Sequence, residues 1–233
     1  MSIPKIIHYC WFGKGEKPKL AKKCIESWAK YLPDYSIKEW NEDNFDLNLY
    51  SYAKEAYEQR RYAFVTDIVR LYALFYEGGI YMDTDVEVIQ NLDSLLEYSA
   101  VSGFETETSI PTGLIASEPG HPMIKEFLDE YDGLHFNDLT TNVTRITNTC
   151  LKYGLRQNNS QQTINGFTLL PKDVLCPKSY VTGKIETTER SLTIHHFAGS
   201  WYTPAEKRKQ AIAKLLGPRI SRFIVDIKAH LVK

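Results

Sequence analysis

Apolar and polar positions alternate along the chain in a way that predicts an α/β layered domain. Ile3 to Phe12 is rich in Ile, Tyr, Trp and Phe and reads as a buried strand, ended by Gly13 and Gly15. Lys17 to Tyr31 is predicted as a helix, with Leu20, Cys24, Ile25, Trp28 and Tyr31 on one face and Pro33 closing it. A strand over Tyr35 to Trp40, a polar connection over 41–48 and a helix over Ser51 to Gln59 follow. Arg61 to Glu77 forms a third helix. Phe64, Ile68, Leu71 and Phe75 make one stripe, and Val65, Val69, Tyr72 and Tyr76 cover much of the remainder, so this helix is expected to be buried on most sides. Gly78-Gly79 stops it. Strands are expected over Ile80 to Val88, 99–104, 110–116, Phe167 to Leu170 and Leu192 to Phe197. A helix enters through Pro122 and runs from His121 to Tyr131. The polar stretch 138–165 reads as a helix followed by a loop, and the chain from Pro204 onward as helical with a break at Gly217-Pro218. These boundaries place the domain at 1–203 and a helical tail at 204–233.

The net charge of −1 hides an asymmetry. Residues 207–233 contain eight bases and one acid, +7 in all, against −8 for the remaining residues. Placed on a helix, Ile220, Phe223, Ile224, Ile227 and Leu231 form a narrow apolar stripe, with Arg219, Arg222, Asp226, His230 and Lys233 opposite. An apolar stripe beside a basic face suits an anionic membrane surface, so the tail is expected to hold the protein peripherally on the inner leaflet. The alternative is a helix docked on the domain with its bases in solvent. No segment reaches the roughly 18 apolar residues of a membrane span. No signal-peptide pattern precedes the first strand, which leads us to expect a cytoplasmic protein. The four cysteines lie far apart without a Cys-x-x-Cys pair, which argues against a zinc site and for buried thiols in a reducing compartment. Nucleic acid is not an expected partner.

The candidate chemistry lies in four segments. In Gly78-Gly79-Ile80-Tyr81-Met82-Asp83-Thr84-Asp85, a continuous strand puts Tyr81, Asp83 and Asp85 on one face. Two carboxylates at the end of an apolar strand need a cation or donors to hold them, and a hard divalent ion carrying phosphates satisfies them. Asp67 and Arg70 are the only charged residues between Arg61 and Glu77. Buried charges require partners, and at i, i+3 these two can pair while still offering Asp67 to a sugar hydroxyl and Arg70 to a sugar or phosphate. Trp11, followed by Phe12-Gly13 at the end of the first strand, can present its ring to a base. In His195-His196-Phe197-Ala198-Gly199-Ser200-Trp201, a histidine at a strand end can complete a metal site, and Ser200 and the Trp201 ring nitrogen are donors for a phosphate oxygen.

Taken in order, Ile-His-x-x-Trp-Phe-Gly, Asp-x-x-Arg, Gly-Gly-Ile-Tyr-x-Asp-x-Asp and His-x-x-Gly-Ser-Trp resemble glycosyltransferase family 32 over residues 3–201. The resemblance implies a GT-A-type, Rossmann-like nucleotide-sugar-binding domain with a mixed central sheet. It also implies a Mn²⁺ or Mg²⁺ ion, a nucleotide-sugar donor and retention of anomeric configuration. By this likeness Trp11 stacks on the nucleobase and Asp67 and Arg70 hold the donor sugar. Asp83 meets ribose and the metal shell, Asp85 binds the metal, and Ser200 and Trp201 hold the diphosphate. Phe12, Tyr81, Thr84 and His195 complete the substrate-binding set, and His196 is the favoured histidine ligand. The stretch 140–162 lacks the Thr-Gly-Pro of many relatives, so no acceptor role is carried onto it. The expected reaction moves a hexose from a UDP-sugar to a glycan acceptor, capsular or exopolysaccharide and lipid-linked. GDP-mannose as donor, or a non-catalytic nucleotide-sugar-binding module, is the alternative. A metal phosphohydrolase would need a second metal and more converging acids than this single Asp-x-Asp provides.

Overall fold

The computed structural model describes residues 2–137 and 139–199. The expected helical tail, Ser200 and Trp201 lie outside these residues. Among the described residues nine strands and six α-helices follow one another in the order β1 (Ile6–Cys10), α1 (Lys19–Tyr31), β2 (Ser36–Trp40), α2 (Ser51–Glu58), α3 (Tyr62–Glu77), β3 (Gly79–Met82), β4 (Val86–Val88), β5 (Ala100–Gly103), β6 (Leu114–Ser117), α4 (Pro122–Asp129), α5 (Asn142–Lys152), β7 (Gln162–Ile164), β8 (Phe167–Leu170), α6 (Lys172–Leu175) and β9 (Thr193–His195). Seven strands form one mixed sheet in the order β2-β1-β3-β6-β5-β8-β7. The pairs β1–β2, β1–β3 and β5–β8 are parallel, and β3–β6, β5–β6 and β7–β8 antiparallel. The two remaining strands, β4 and β9, make an antiparallel ribbon of their own.

Alternation along β1 and β3 sends side chains into two cores, one on each face of the sheet. Ile7, Tyr9, Ile80 and Met82 join the cluster that includes Trp28 of α1. Cys10 and Tyr81 join the cluster built around α2, α3, α4 and α5. Helix α3 is buried along its length as its sequence predicts, with Phe64, Val65, Ile68, Val69, Leu71, Ala73 and Leu74 all withdrawn from solvent. Burial of each large aliphatic side chain contributes on the order of 1.5–3 kcal/mol. All four cysteines are free and buried, as the apolar patterns around Cys10 and Cys24 suggested.

Helix α3 ends at Gly78, whose N–H returns to the carbonyl of Leu74. Gly79 has φ +101°, and a Cβ there would stand 2.5 Å from the carbonyl oxygen of Ile6. No other residue lets β3 start this close to β1. The turn is pinned by buried His8. The Trp40 indole N–H donates to its Nδ1 at 3.0 Å, so the proton sits on Nε2, which donates to the carbonyl of Gly78 at 2.7 Å. Burial holds the His8 pKa below the ordinary value, in keeping with a neutral ring.

The structure revises two expected elements. Ile80 to Val88 is not one strand: β3 stops at Met82, Asp83 to Asp85 turns, and β4 begins at Val86. The N–H of Asp83 still reaches β6's approach at the carbonyl of Gly113 (2.8 Å), and the N–H of Val86 closes the turn on the carbonyl of Asp83 (3.0 Å). β4 then leaves the main sheet because α1 receives it: Trp28 Nε1 donates to the carbonyl of Val86 at 2.8 Å, and the Val88 N–H donates to Ser27 Oγ at 2.9 Å. In the polar stretch after 138, the expected helix is α5, and the expected loop contains the short strand β7.

Candidate active site

Two buried charges on α3 organise the site. Arg70, 4% exposed, donates through Nη2 to Asp67 Oδ1 (3.1 Å) and Thr66 Oγ1 (3.0 Å), and through Nε to the Thr66 carbonyl (3.2 Å). Its Nη1 donates to the Thr112 carbonyl (2.5 Å) and lies 3.4 Å from Asp83 Oδ1. The guanidinium stacks over the Tyr81 ring at 4.7 Å, and the Tyr81 hydroxyl donates to Asp83 Oδ1 at 2.8 Å. The Asp67–Arg70 pair expected from their spacing is therefore present, and it extends to the Asp-x-Asp turn. Burial opposes the charge on Arg70, but Asp83, Tyr81 and Asp67 together raise its pKa further. For Asp67 burial wins over the nearby guanidinium, and its carboxyl is pushed up to about 7. The free site thus keeps a carboxyl that gives up its proton near neutrality.

The turn at Asp83-Thr84-Asp85 does what an uninterrupted strand was expected to do, by another route. The carboxylates of Asp83 and Asp85 and a ring nitrogen of His195 all lie within 4.8 Å of one another. The ribbon supplies the histidine: Val86 pairs with His195, and the His196 N–H donates to the Asp85 carbonyl at 2.9 Å. His195 Nε2 stands 3.3 Å from Asp85 Oδ1. This corrects the expected metal ligand. Adjacent side chains on a strand point to opposite sides, so His196 turns away and its Nε2 meets Glu87 Oε2 at 2.8 Å. Glu87 is held in turn by Lys23.

Two carboxylates and one imidazole are a donor set that suits Mn²⁺ or Mg²⁺, and the residues present fit such an ion. Without one, burial opposes charge on His195, but Asp85 and then Cys176 raise its pKa well above the ordinary value. Its Nδ1 is buried and makes no hydrogen bond of ordinary geometry. To hold a cation His195 would have to give up its proton, as metal binding to imidazole requires. Space is tight around it: a Cβ on Gly113 would lie 2.9 Å from His195 Cε1.

The sequence reading missed Glu105, just past β5. Its carboxyl is pushed up by burial, lowered by His195 and raised again by Asp83, so it belongs to the same charge cluster. Its only signal in the sequence is a carboxylate one residue beyond an apolar strand end. It foresaw a helix where α5 lies but gave it no part in the site. Asn142 Nδ2 donates to the Asp67 carbonyl at 3.5 Å and its amide lies against the Asp67 carboxyl.

The other expected residues divide. Trp11 is half-buried at the wall of a shallow cleft of about 280 Å³ with Lys14, Gly15, Glu39, Asn41, Glu42 and Asp43. Its Nε1 donates to the Gly15 carbonyl at 2.6 Å, and Lys17 Nζ sits 5.5 Å from its ring. Phe12, expected among the substrate-binding residues, is instead a core residue, 6% exposed and edge-on to Tyr57 at 6.5 Å; it braces the strand end. Tyr81 is likewise buried, at 1% exposed, and reaches the site through Asp83. Thr84 is half-buried at the tip of the turn.

The segment holding Asp67, Arg70, Asp83 and Asp85 is also the one that matches a known family. Residues 18–102 fit the glycosyltransferase sugar-binding region containing the DXD motif. That match is to this stretch of the chain. Among its relatives is an inositol phosphoceramide mannosyltransferase of Schizosaccharomyces pombe, 29% identical over 140 residues, which cover 58% of this chain and 39% of that one. Another is an uncharacterized glycosyltransferase of Acanthamoeba polyphaga mimivirus, 28% identical over 186 residues, covering 75% of this chain and 73% of that one. The solved structure of the PaToxG glycosyltransferase superposes with a TM-score of 0.52 at 19% identity, covering 65% of this chain and 70% of that chain. The fold is accordingly of the GT-A type, as expected. The family match ends before Glu105, Asn142 and His195, which the fold alone brings to the motif.

Proposed function

We propose that the chain transfers a hexose from a nucleoside-diphosphate sugar to a glycan acceptor, with a divalent cation held by Asp83, Asp85 and His195. The observation that carries this reading is the convergence of those three ligands beside the Arg70–Asp67 pair. The ion supplies electrostatic stabilisation to a leaving diphosphate. Arg70 stays rigid because five polar contacts and the Tyr81 ring fix its guanidinium, so its positive charge is already oriented when the donor arrives. Asp67 accepts a sugar hydroxyl, and Tyr81 fixes the rotamer of Asp83. Retention of configuration, and a lipid-linked capsular or exopolysaccharide acceptor, complete the reading. The names of the fungal relatives favour a second donor, GDP-mannose, beside the UDP-hexose expected from the sequence. Among the described residues no helix is long and apolar enough to cross a membrane. Peripheral attachment through the basic tail supplies the route to a lipid-linked acceptor.

The test is nucleotide release from a panel of UDP-hexoses and GDP-mannose, with and without Mn²⁺. Metal-dependent release from at least one donor is expected. A protein that binds nucleotide sugars and never cleaves them is a binding module. In the same assay series Trp11→Ala is expected to weaken UDP or GDP binding by ~1–3 kcal/mol, the range for base–aromatic stacking. Unchanged nucleotide affinity by calorimetry assigns Trp11 to the cleft wall only.

A further inference from the structure

Near Asp67, three polar atoms on α5 and in the turn after α4 have no hydrogen-bond partner among the described residues. They are the Tyr131 hydroxyl, Asn142 Oδ1 and Arg145 Nε, all shielded from solvent. Tyr131 is 1% and Asn142 3% exposed. Buried polar atoms without hydrogen-bond partners are rare in folded proteins, because each loses its bonds to water and gains none. Three in one place therefore call for a common explanation, and these three are close together. The Arg145 guanidinium lies over the Tyr131 ring at 5.4 Å. Asn142 reaches Asp67 with the other end of its amide at 3.5 Å. Asp67 is the residue whose charge acts most strongly on the Tyr131 hydroxyl, and Arg145 bears on both. The Arg145 side chain makes no ion pair or hydrogen bond among the described residues, so beyond the Tyr131 ring its donors are open to a guest.

The chemistry of the cluster selects its guest. Asn142 Oδ1 and the Asp67 carboxyl ask for hydrogen-bond donors, Arg145 Nε asks for an acceptor, and the tyrosine hydroxyl serves either way. A carboxylate or phosphate accepts only and leaves Asn142 unsatisfied. An alkyl chain leaves all of them so. A sugar hydroxyl both donates and accepts, and neighbouring hydroxyls on a ring do so at several points. From the metal ligands the order is Asp83, Arg70, Asp67, then Asn142.

We infer that Tyr131, Asn142 and Arg145 form, together with Asp67, a subsite for the hydroxyls of the donor hexose, so that α5 reads the sugar while α3 and the Asp-x-Asp turn hold the diphosphate end. This rests on the donor reading given above. It assigns donor-sugar selection to a segment, 131–145, that lies outside the matched family region.

The test uses the full chain with Mn²⁺. Calorimetry measures the affinity for the free nucleoside diphosphate and for the corresponding nucleotide sugar, chosen from UDP-glucose, UDP-galactose and GDP-mannose by the wild-type protein. Three variants are compared: Tyr131→Phe, Asn142→Ala and Arg145→Met. Each is expected to weaken nucleotide-sugar binding about tenfold, the equivalent of one lost hydrogen bond, with no change for the free nucleotide. Tyr131→Phe is the decisive member, since it removes only a hydroxyl that makes no hydrogen bond among the described residues. Its melting temperature is expected to stay level or rise, which separates loss of sugar binding from loss of fold. Unchanged sugar affinity in all three variants overturns the inference and leaves ordered water as the occupant. Equal weakening of nucleotide and nucleotide sugar also overturns it, since the cluster then only supports the fold. A wild-type protein that binds neither nucleotide nor nucleotide sugar sinks the donor reading itself, and this subsite with it.

Discussion

Asp85→Asn is expected to lower sugar transfer by about 10³-fold or more while leaving the metal-free protein folded. The amide keeps the shape of the side chain at the end of the turn, and the backbone contacts of that turn do not involve it. What it loses is an anionic oxygen beside His195 and Asp83. Neutral amides are poor substitutes for a hard cation's carboxylate ligand, and several kcal/mol of transition-state stabilisation depend on that cation; at 1.36 kcal/mol per decade the loss reaches three orders of magnitude. Nucleotide release measured with excess donor checks it, with chelated wild-type protein as the companion. Wild-type turnover in chelator would remove the metal from the mechanism. His195 offers a second readout: without Asp85 its pKa falls, because that carboxylate is the foremost group raising it.

Arg70→Met is expected to abolish transfer and also to destabilise the fold, by about 3–5 kcal/mol, the usual consequence of leaving buried charges without their counter-charge. Asp67 and Asp83 both lose their guanidinium, and the carbonyl of Thr112 loses its donor. Lysine cannot substitute, because one ammonium cannot span Asp67, Asp83 and the Thr112 carbonyl in a fixed fork. Denaturant melts check the stability and nucleotide release the activity; wild-type stability would mean that the pair is solvated. Asp67 behaves differently. Its carboxyl holds its proton to about pH 7 when folded but only to about 3.9 when unfolded. Between those values the folded state binds more protons, so stability falls as pH rises across that interval. In metal-free protein Asp67→Asn is expected to flatten this decline and to be the more stable form above pH 7, while binding nucleotide sugar less well. A pH series of melts on both proteins reads the difference, and parallel curves would contradict it.

How far the sequence carried this picture differs from element to element. Helix α3 was legible because two chemistries coincide there: an apolar surface nearly all round, and two charges at a spacing that lets them meet. The Asp-x-Asp pair was legible as a cation site, but for an incomplete reason. Alternation of Tyr81, Asp83 and Asp85 is what a strand would show, and a local pattern carries no record of β4 being drawn off by Trp28 and Ser27 of α1. The choice between His195 and His196 depends on the register that pairs Val86 with His195, a fact about two segments and invisible in either. Helix α5 gave little signal because threonines and an asparagine take many of its buried positions, Asn142, Thr147 and Thr149 among them. Phe12 shows the opposite error: an aromatic next to a motif was read with the motif, although edge-on packing against Tyr57 is sufficient reason for it.

The ribbon of β4 and β9 gives the cation a second consequence. Asp85 and His195 stand about 110 residues apart in the chain, and four of the sheet's seven strands, β5 to β8, lie between them. An ion gripped by both ends closes that span as a clasp, and loops of such length lose much conformational freedom when tied. The unfolded chain cannot hold the ion in the same way, so every increment of binding favours the native form. Metal supply would then set how long the protein survives heat or protease as well as how fast it turns over. Cutting the chain between β8 and β9 would abolish both responses together.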